Sequence, residues 1–177
     1  MKLSRFGILI VCLFCSAIAS GQATQTFSNG ATGAISDDQL WNLYPVQVNA
    51  LNNPVLNDNW GFEKITLSIN HTWDSDLEVW LQSPDGTEVL LFTGVGGDGD
   101  NFTTTGLKNN YTTPIGDGTA PFTGSYKPIG DLGMFNNGQS GIGTWILKVR
   151  DNYQQDQGSV VQWSIRFGTA PSEIYTP

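Results

Sequence analysis

The chain has 177 residues, with 16 aspartates and glutamates against 8 lysines and arginines and a formal net charge of −8. A surface this acidic excludes a nucleic-acid partner, whose phosphates demand a basic patch, and disfavours anionic membranes. It suits divalent cations, which bind hard carboxylate oxygens.

Residues 1–21 read as a secretory signal peptide. Lys2 and Arg5 precede an apolar run from Phe6 to Cys15, and small residues follow at Ser16, Ala17, Ala19 and Ser20. The run is too short to span a bilayer, so the mature form is expected to carry no membrane span and to be secreted, periplasmic or held at the cell surface. Cleavage after Ala19 meets the Ala-x-Ala rule, and cleavage just before Gln22 is the alternative. Cys12 follows Val11 and Cys15 follows Phe14, neither of them the small residue that lipidation requires. Both cysteines of the chain leave with this segment, so core burial, with or without bound metal, must supply the stability that disulfides do not. Two positive charges leave as well, and six basic residues then face 16 acidic ones.

Residues 22–59 read as a lead-in with strands near 25–28 and 44–49, and residues 60–168 as the core of one sandwich. Ile65, Leu67, Ile69 and His71 alternate with Lys64, Thr66, Ser68 and Asn70. Leu77, Val79 and Leu81 point inward, with Asp76, Glu78, Trp80 and Gln82 outward. Ser83-Pro84-Asp85-Gly86 then closes a hairpin onto a strand at 87–92, Gly86 taking positive φ. Residues 93–141 form a Gly-, Asn- and Thr-rich stretch without periodicity, long enough to be functional or to hide short strands. Two strands finish the domain. Trp145, Leu147 and Val149 face inward in one, and Val161, Trp163, Ile165 and Phe167 in the other. Residues 169–177 read as a linker or the stub of something longer. The pattern as a whole is all-β, an antiparallel, jelly-roll-like β-sandwich.

Hairpin connectivity brings acids together. The loop holding Asp74 and Asp76 must lie at the same end as the loop after Phe92, which carries Asp98 and Asp100 among glycines. Asp151 and Asp156 fall in the turn between the last two strands. Calcium takes six to eight oxygens, and these loops can provide them through Asp76, Asp98, Asp100, Asp151 and Asp156. The competing reading is that Asp, Asn and Gly simply make turns. Neither Asp-x-Asp spacing continues to the closing glutamate of an EF-hand.

Asn70-His71-Thr72-Trp73, Asp76-Leu77-Glu78-Val79 and Ser83-Pro84-Asp85-Gly86-Thr87 resemble the central signature of the proprotein convertase P domain, also called Homo B. Gly99 to Phe102, Gly118 to Tyr126 with Pro128, and Gly143-Thr144-Trp145 through Trp163-Ser164 continue the likeness in order, over roughly 60–168. The resemblance implies a jelly-roll sandwich that packs on a subtilisin-like serine protease domain, stabilises it and tunes its calcium and pH dependence. In bacterial proteins the same domain stands beside other hydrolases or sorting modules. Only about forty mature residues precede it here, too few for a subtilisin fold.

A catalytic role needs more than the chain offers. His71 is the sole histidine, no Gly-x-Ser-x-Gly elbow is present, and the paired aspartates sit on turns with no reason for a raised pKa. The rival is a carbohydrate-binding or adhesive module. Trp80 is the residue to watch, an outward tryptophan that either contacts a sugar or a partner domain, or is covered by a neighbouring segment. Trp73 and Tyr153 lie in loops at or near the acidic end. Asn70, Asn101 and Asn110 begin Asn-x-Thr sites, which matter only in a eukaryotic secretory pathway.

Overall fold

A computed structural model describes residues 23–29 and 33–173; the expected signal peptide lies outside them. The strands are β1 Gln25–Asn29, β2 Gly33–Ile35, β3 Asn42–Val48, β4 Gly61–His71, β5 Leu77–Gln82, β6 Glu88–Thr93, β7 Phe102–Leu107, β8 Gly124–Tyr126, β9 Gly143–Asp151 and β10 Gly158–Gly168. They form two facing sheets, one ordered β1-β10-β4-β7-β8 with β2 also on β10, the other β3-β9-β5-β6. The protein is thus a β-sandwich. Pairing is antiparallel except between β7 and β8, which run parallel. No helix among the described residues is long and apolar enough to cross a membrane.

Alternation decides what lies between the sheets. Ile65, Leu67 and Ile69 of β4, Leu77, Val79 and Leu81 of β5, and Trp145, Leu147 and Val149 of β9 are all fully buried. Aromatic rings lock the two layers. Phe62 stacks on Trp145 at 5.3 Å and meets Phe135 at 5.1 Å, while Phe102 stacks between Phe92 at 4.4 Å and Phe122 at 4.6 Å. The Trp145 indole donates to the Gly141 carbonyl at 2.9 Å, so its one polar atom is satisfied inside the core.

The β5–β6 hairpin closes as its sequence requires. Ser83 and Thr87 exchange a backbone bond of 2.9 Å, Asp85 accepts from the Ser83 hydroxyl and the Thr87 amide, and Gly86 sits at φ +92°. A side chain at Gly86 meets no neighbour, so only backbone strain opposes it. Gly86→Ala should cost about 1–2 kcal/mol, read from the shift of a urea melt.

Two expectations are corrected. Val160, not Val161, is buried in β10, because a bulge puts two residues against one of β4: Val160 pairs with Ile69 and Gln162 already with Ser68. Asp76 is not an outward strand residue, since it ends a one-turn 3-10 segment, Asp74–Asp76, and is only 8% exposed.

The long aperiodic stretch hides β7, β8 and two 3-10 turns, Ile115–Asp117 and Leu132–Phe135. Asn136 follows the second. Its buried side chain accepts from the Phe62 amide at 2.7 Å and donates to the Phe62 and Ser172 carbonyls, standing in for a strand that is not there. Ser172 is 2% exposed and Ala170 donates to Glu63 at 2.9 Å, so residues 170–173 are fastened to the sandwich.

Candidate functional site

β4 delivers His71 to one end of the sandwich, where Gly158 of β10 pairs with it. A Cβ on Gly158 would fall 2.4 Å from the imidazole, so glycine there makes room for the ring. His71 is buried, with Nε2 3.1 Å from Asp151 Oδ2 and Nδ1 2.9 Å from the Trp73 carbonyl and 3.2 Å from its amide nitrogen. A neutral ring with its proton on Nε2 donates to Asp151 and accepts the Trp73 amide; a cationic ring donates to the carboxylate and the carbonyl. Asp151 Oδ1 also accepts from the Tyr153 amide. This is an internal brace that ties β4 to the end of β9.

The three acidic loops meet around it. The amides of Asp74 and Ser75 donate to the carbonyls of Gly99 and Gly97 at 2.9 and 3.1 Å. Asn101, at φ +75°, gives its amide to Asp74 Oδ1 at 2.8 Å and accepts the His71 amide at 3.1 Å. From the β9–β10 turn, Asn152 donates to the Asp76 carbonyl at 2.9 Å, and Asp156 accepts from the Thr72 hydroxyl at 2.8 Å. The convergence read from hairpin connectivity is present in the fold.

Within it the carboxylates form two groups. Asp76 feels Asp151 and Asp156. Burial, with those like charges behind it, raises its pKa. Asp74 lies on the Asp100 side, fully buried, and its Oδ2 has no hydrogen-bond partner. Burial pushes the Asp74 carboxyl up to about 7, with Asp100 adding to the rise and the Asn101 amide and His71 opposing it. Asp98 is exposed. Among the described residues no three or more His, Asp or Glu side chains are gathered into a ready-made metal cage. The orphaned Asp74 oxygen is nonetheless what a bound cation would satisfy, since a buried carboxylate without a partner is costly. Asp74 was visible in the sequence, but nothing there distinguished it from its exposed neighbours.

Trp80 is partly exposed on the outer face of the second sheet. Its indole donates to Glu78 at 2.8 Å, and it stands opposite Lys148 of β9 and Leu90 of β6. Partial burial raises the Glu78 pKa, but bonds from Arg150 and Trp80 outweigh it and hold the carboxyl below its ordinary value. Leu43 and Pro45 of β3 are exposed on the same sheet, with Lys148 standing between Leu43 and Trp80. Sequence reading missed Trp41, whose ring lies 5.0 Å from the Lys148 ammonium and 4.5 Å from the Arg150 guanidinium. Those partners are distant in the chain, and no local pattern announces them.

A family model described as the proprotein convertase P-domain matches residues 63–167, more than half of the chain. The chain belongs to the proprotein convertase P-domain family. That span runs through β4 to β10, so His71, the three acidic loops and Trp80 all lie within the P domain, while β1 to β3 precede it. Leupeptin-inactivating enzyme 1 of Streptomyces exfoliatus is 31% identical over 104 residues, which are 59% of this chain and 18% of that protein. Among solved structures, the serine protease of Aeromonas sobria superposes with a TM-score of 0.48 at 18% identity, covering 82% of this chain and 27% of that one. The same protease in complex with its chaperone gives 0.48 at 16% identity, covering 83% of this chain and 27% of that one.

Proposed function

We propose that this P domain is a secreted, non-catalytic accessory module that docks on a subtilisin-like serine protease domain or another hydrolase, in cis or in trans, and stabilises it. The observation that carries the reading is the family match, joined to the outer face around Trp80. Tryptophan is a typical interface anchor, and a partly open ring fringed by the Glu78–Arg150 and Lys148–Glu88 ion pairs suits a docking patch with a polar rim. The relative from Streptomyces is named as an enzyme, and the match occupies 18% of its length, as an appended module would. His71 spends both ring nitrogens on structural bonds, which supports a role outside catalysis.

We also propose that calcium stabilises the acidic end. Asp74 would hold it, with Asp98 and Asp100 of the facing loop; the ion would supply charge balance, not chemistry. On the other side of His71, Asp151 already accepts from the imidazole and the Tyr153 amide, and Asp76 and Asp156 border a cleft.

Trp80→Ala tests the docking reading. The variant should keep its unfolding free energy to within about 1 kcal/mol yet bind a subtilisin-like catalytic domain at least about tenfold more weakly, by calorimetry. Unchanged affinity would place the interface elsewhere. A second reading, carbohydrate binding, draws on a cleft of about 370 Å³ on the first sheet, lined by Thr26, Ser28, Thr66, Leu67, Gln162, Trp163 and Ser164. Chemical-shift changes confined to those residues on adding cello- or chito-oligosaccharides would favour it over docking.

A further inference from the structure

At the acidic end a second cleft, of about 310 Å³, is lined by Trp73, Asp76, Tyr153 and Asp156. Two loops build it, the one after β4 and the one after β9. Trp73 is 43% exposed and Tyr153 63% exposed, more than any other aromatic side chain among the described residues. Between these rings stand two carboxylates and no lysine or arginine. Asp76 is nine-tenths buried, and Asp156 is oriented by the Thr72 hydroxyl. The cleft therefore joins open π-faces to two carboxylates that no lysine or arginine of its lining neutralises.

We propose that this cleft receives an arginine side chain of a partner polypeptide. The chemistry selects that occupant. A calcium ion would use the carboxylates but gain nothing from the rings, because its ligands are oxygens. A sugar would stack on the rings and leave the paired charge unbalanced. A guanidinium does both, laying its flat face on Trp73 or Tyr153 and directing its N–H fork at Asp76 and Asp156. The strongly acidic mature surface draws a basic segment toward this end. The inference is independent of docking through Trp80, and its failure would leave that reading standing.

The test is an NMR titration of the isotope-labelled mature chain, in chelator, with acetyl-arginine-N-methylamide. Saturable shifts are expected at the Trp73 indole and within residues 72–76 and 152–157, with a dissociation constant on the order of millimolar. The neutral citrulline analogue should bind at least about tenfold more weakly, since it keeps the shape and loses the charge. Trp73→Ala and Tyr153→Ala, both at exposed rings, should each weaken binding about fivefold without altering the melting temperature. Asp156→Asn should do the same. Absence of saturable shifts up to about 50 mM arginine compound, equal binding of the citrulline analogue, or an unchanged constant in Trp73→Ala would each overturn the proposal. So would shifts in these loops on adding cellopentaose in place of the arginine compound.

Discussion

Replacing Trp145 with alanine should lower the unfolding free energy by about 3–5 kcal/mol, the range for losing a large aromatic side chain from a packed core. Its ring is fully buried, stacks on Phe62 and meets Phe135 and Phe167 at 5.0 and 5.5 Å. The surrounding rings cannot collapse into the space without breaking their own contacts. Trp163→Ala should fall in the same range, since that side chain is 1% exposed. Trp80→Ala should cost about 1 kcal/mol or less, because it vacates an outer face and leaves no internal cavity. Urea melts of the three variants separate the classes. Equal losses at Trp80 and Trp145 would mean that Trp80 is packed as core, and the docking face would lose its anchor.

In chelator at pH 8, Asp74→Asn should stabilise the protein by about 2–4 kcal/mol, the scale of a carboxyl displaced by roughly three pKa units. The sign follows from the direction of the shift. The folded-state pKa stands at about 7, raised from 3.8. The folded chain therefore disfavours the charged form, and this group's contribution is best below about pH 4 and is lost as pH rises to about 7. Asparagine keeps an oxygen for the Asn101 amide and removes the charge. The advantage over wild type should fade by about pH 4, where the wild-type carboxyl is itself protonated. Calcium should invert the ranking. At a free concentration a hundredfold above the dissociation constant it stabilises wild type by about 2.7 kcal/mol and leaves the variant unmoved. Thermal melts at two pH values, with chelator and with calcium, contain the whole comparison. A variant less stable than wild type at pH 8 in chelator, or a wild type indifferent to calcium, contradicts it.

Much of this fold is legible in the sequence because a half-buried strand declares itself by alternation. β4, β5 and β9 carry that signal without interruption, and the Ser83-to-Gly86 turn fixes the connection of β5 to β6. Where the backbone departs from the repeat, the signal shifts. The bulge at Val161 moves the inward position to Val160, and no residue type marks it. β8 is three residues long and pairs in parallel with β7, so neither length nor hairpin spacing betrays it. Asn136 replaces strand pairing with a side-chain amide, which reads in the sequence as one more loop asparagine.

The acidic end was legible as a place and not as an arrangement. Connectivity alone puts the loop of Asp74 and Asp76 beside the loop of Asp98 and Asp100, and the fold adds the turn of Asp151 and Asp156. Which of them is buried, orphaned or already committed depends on a few ångströms that spacing does not encode. Asp151 engages His71 across 80 positions of chain, while Asp98 and Asp100 both remain exposed.

The most direct test of the accessory role is the heat inactivation of a subtilisin-like catalytic domain stripped of its own P domain, alone and with an equimolar amount of the mature chain. The account predicts that the chain has no peptidase activity of its own and slows the enzyme's inactivation, and that Trp80→Ala abolishes the protection while remaining folded. An enzyme whose inactivation rate is the same with and without the chain, or peptide cleavage that follows the chain itself through purification, would contradict it.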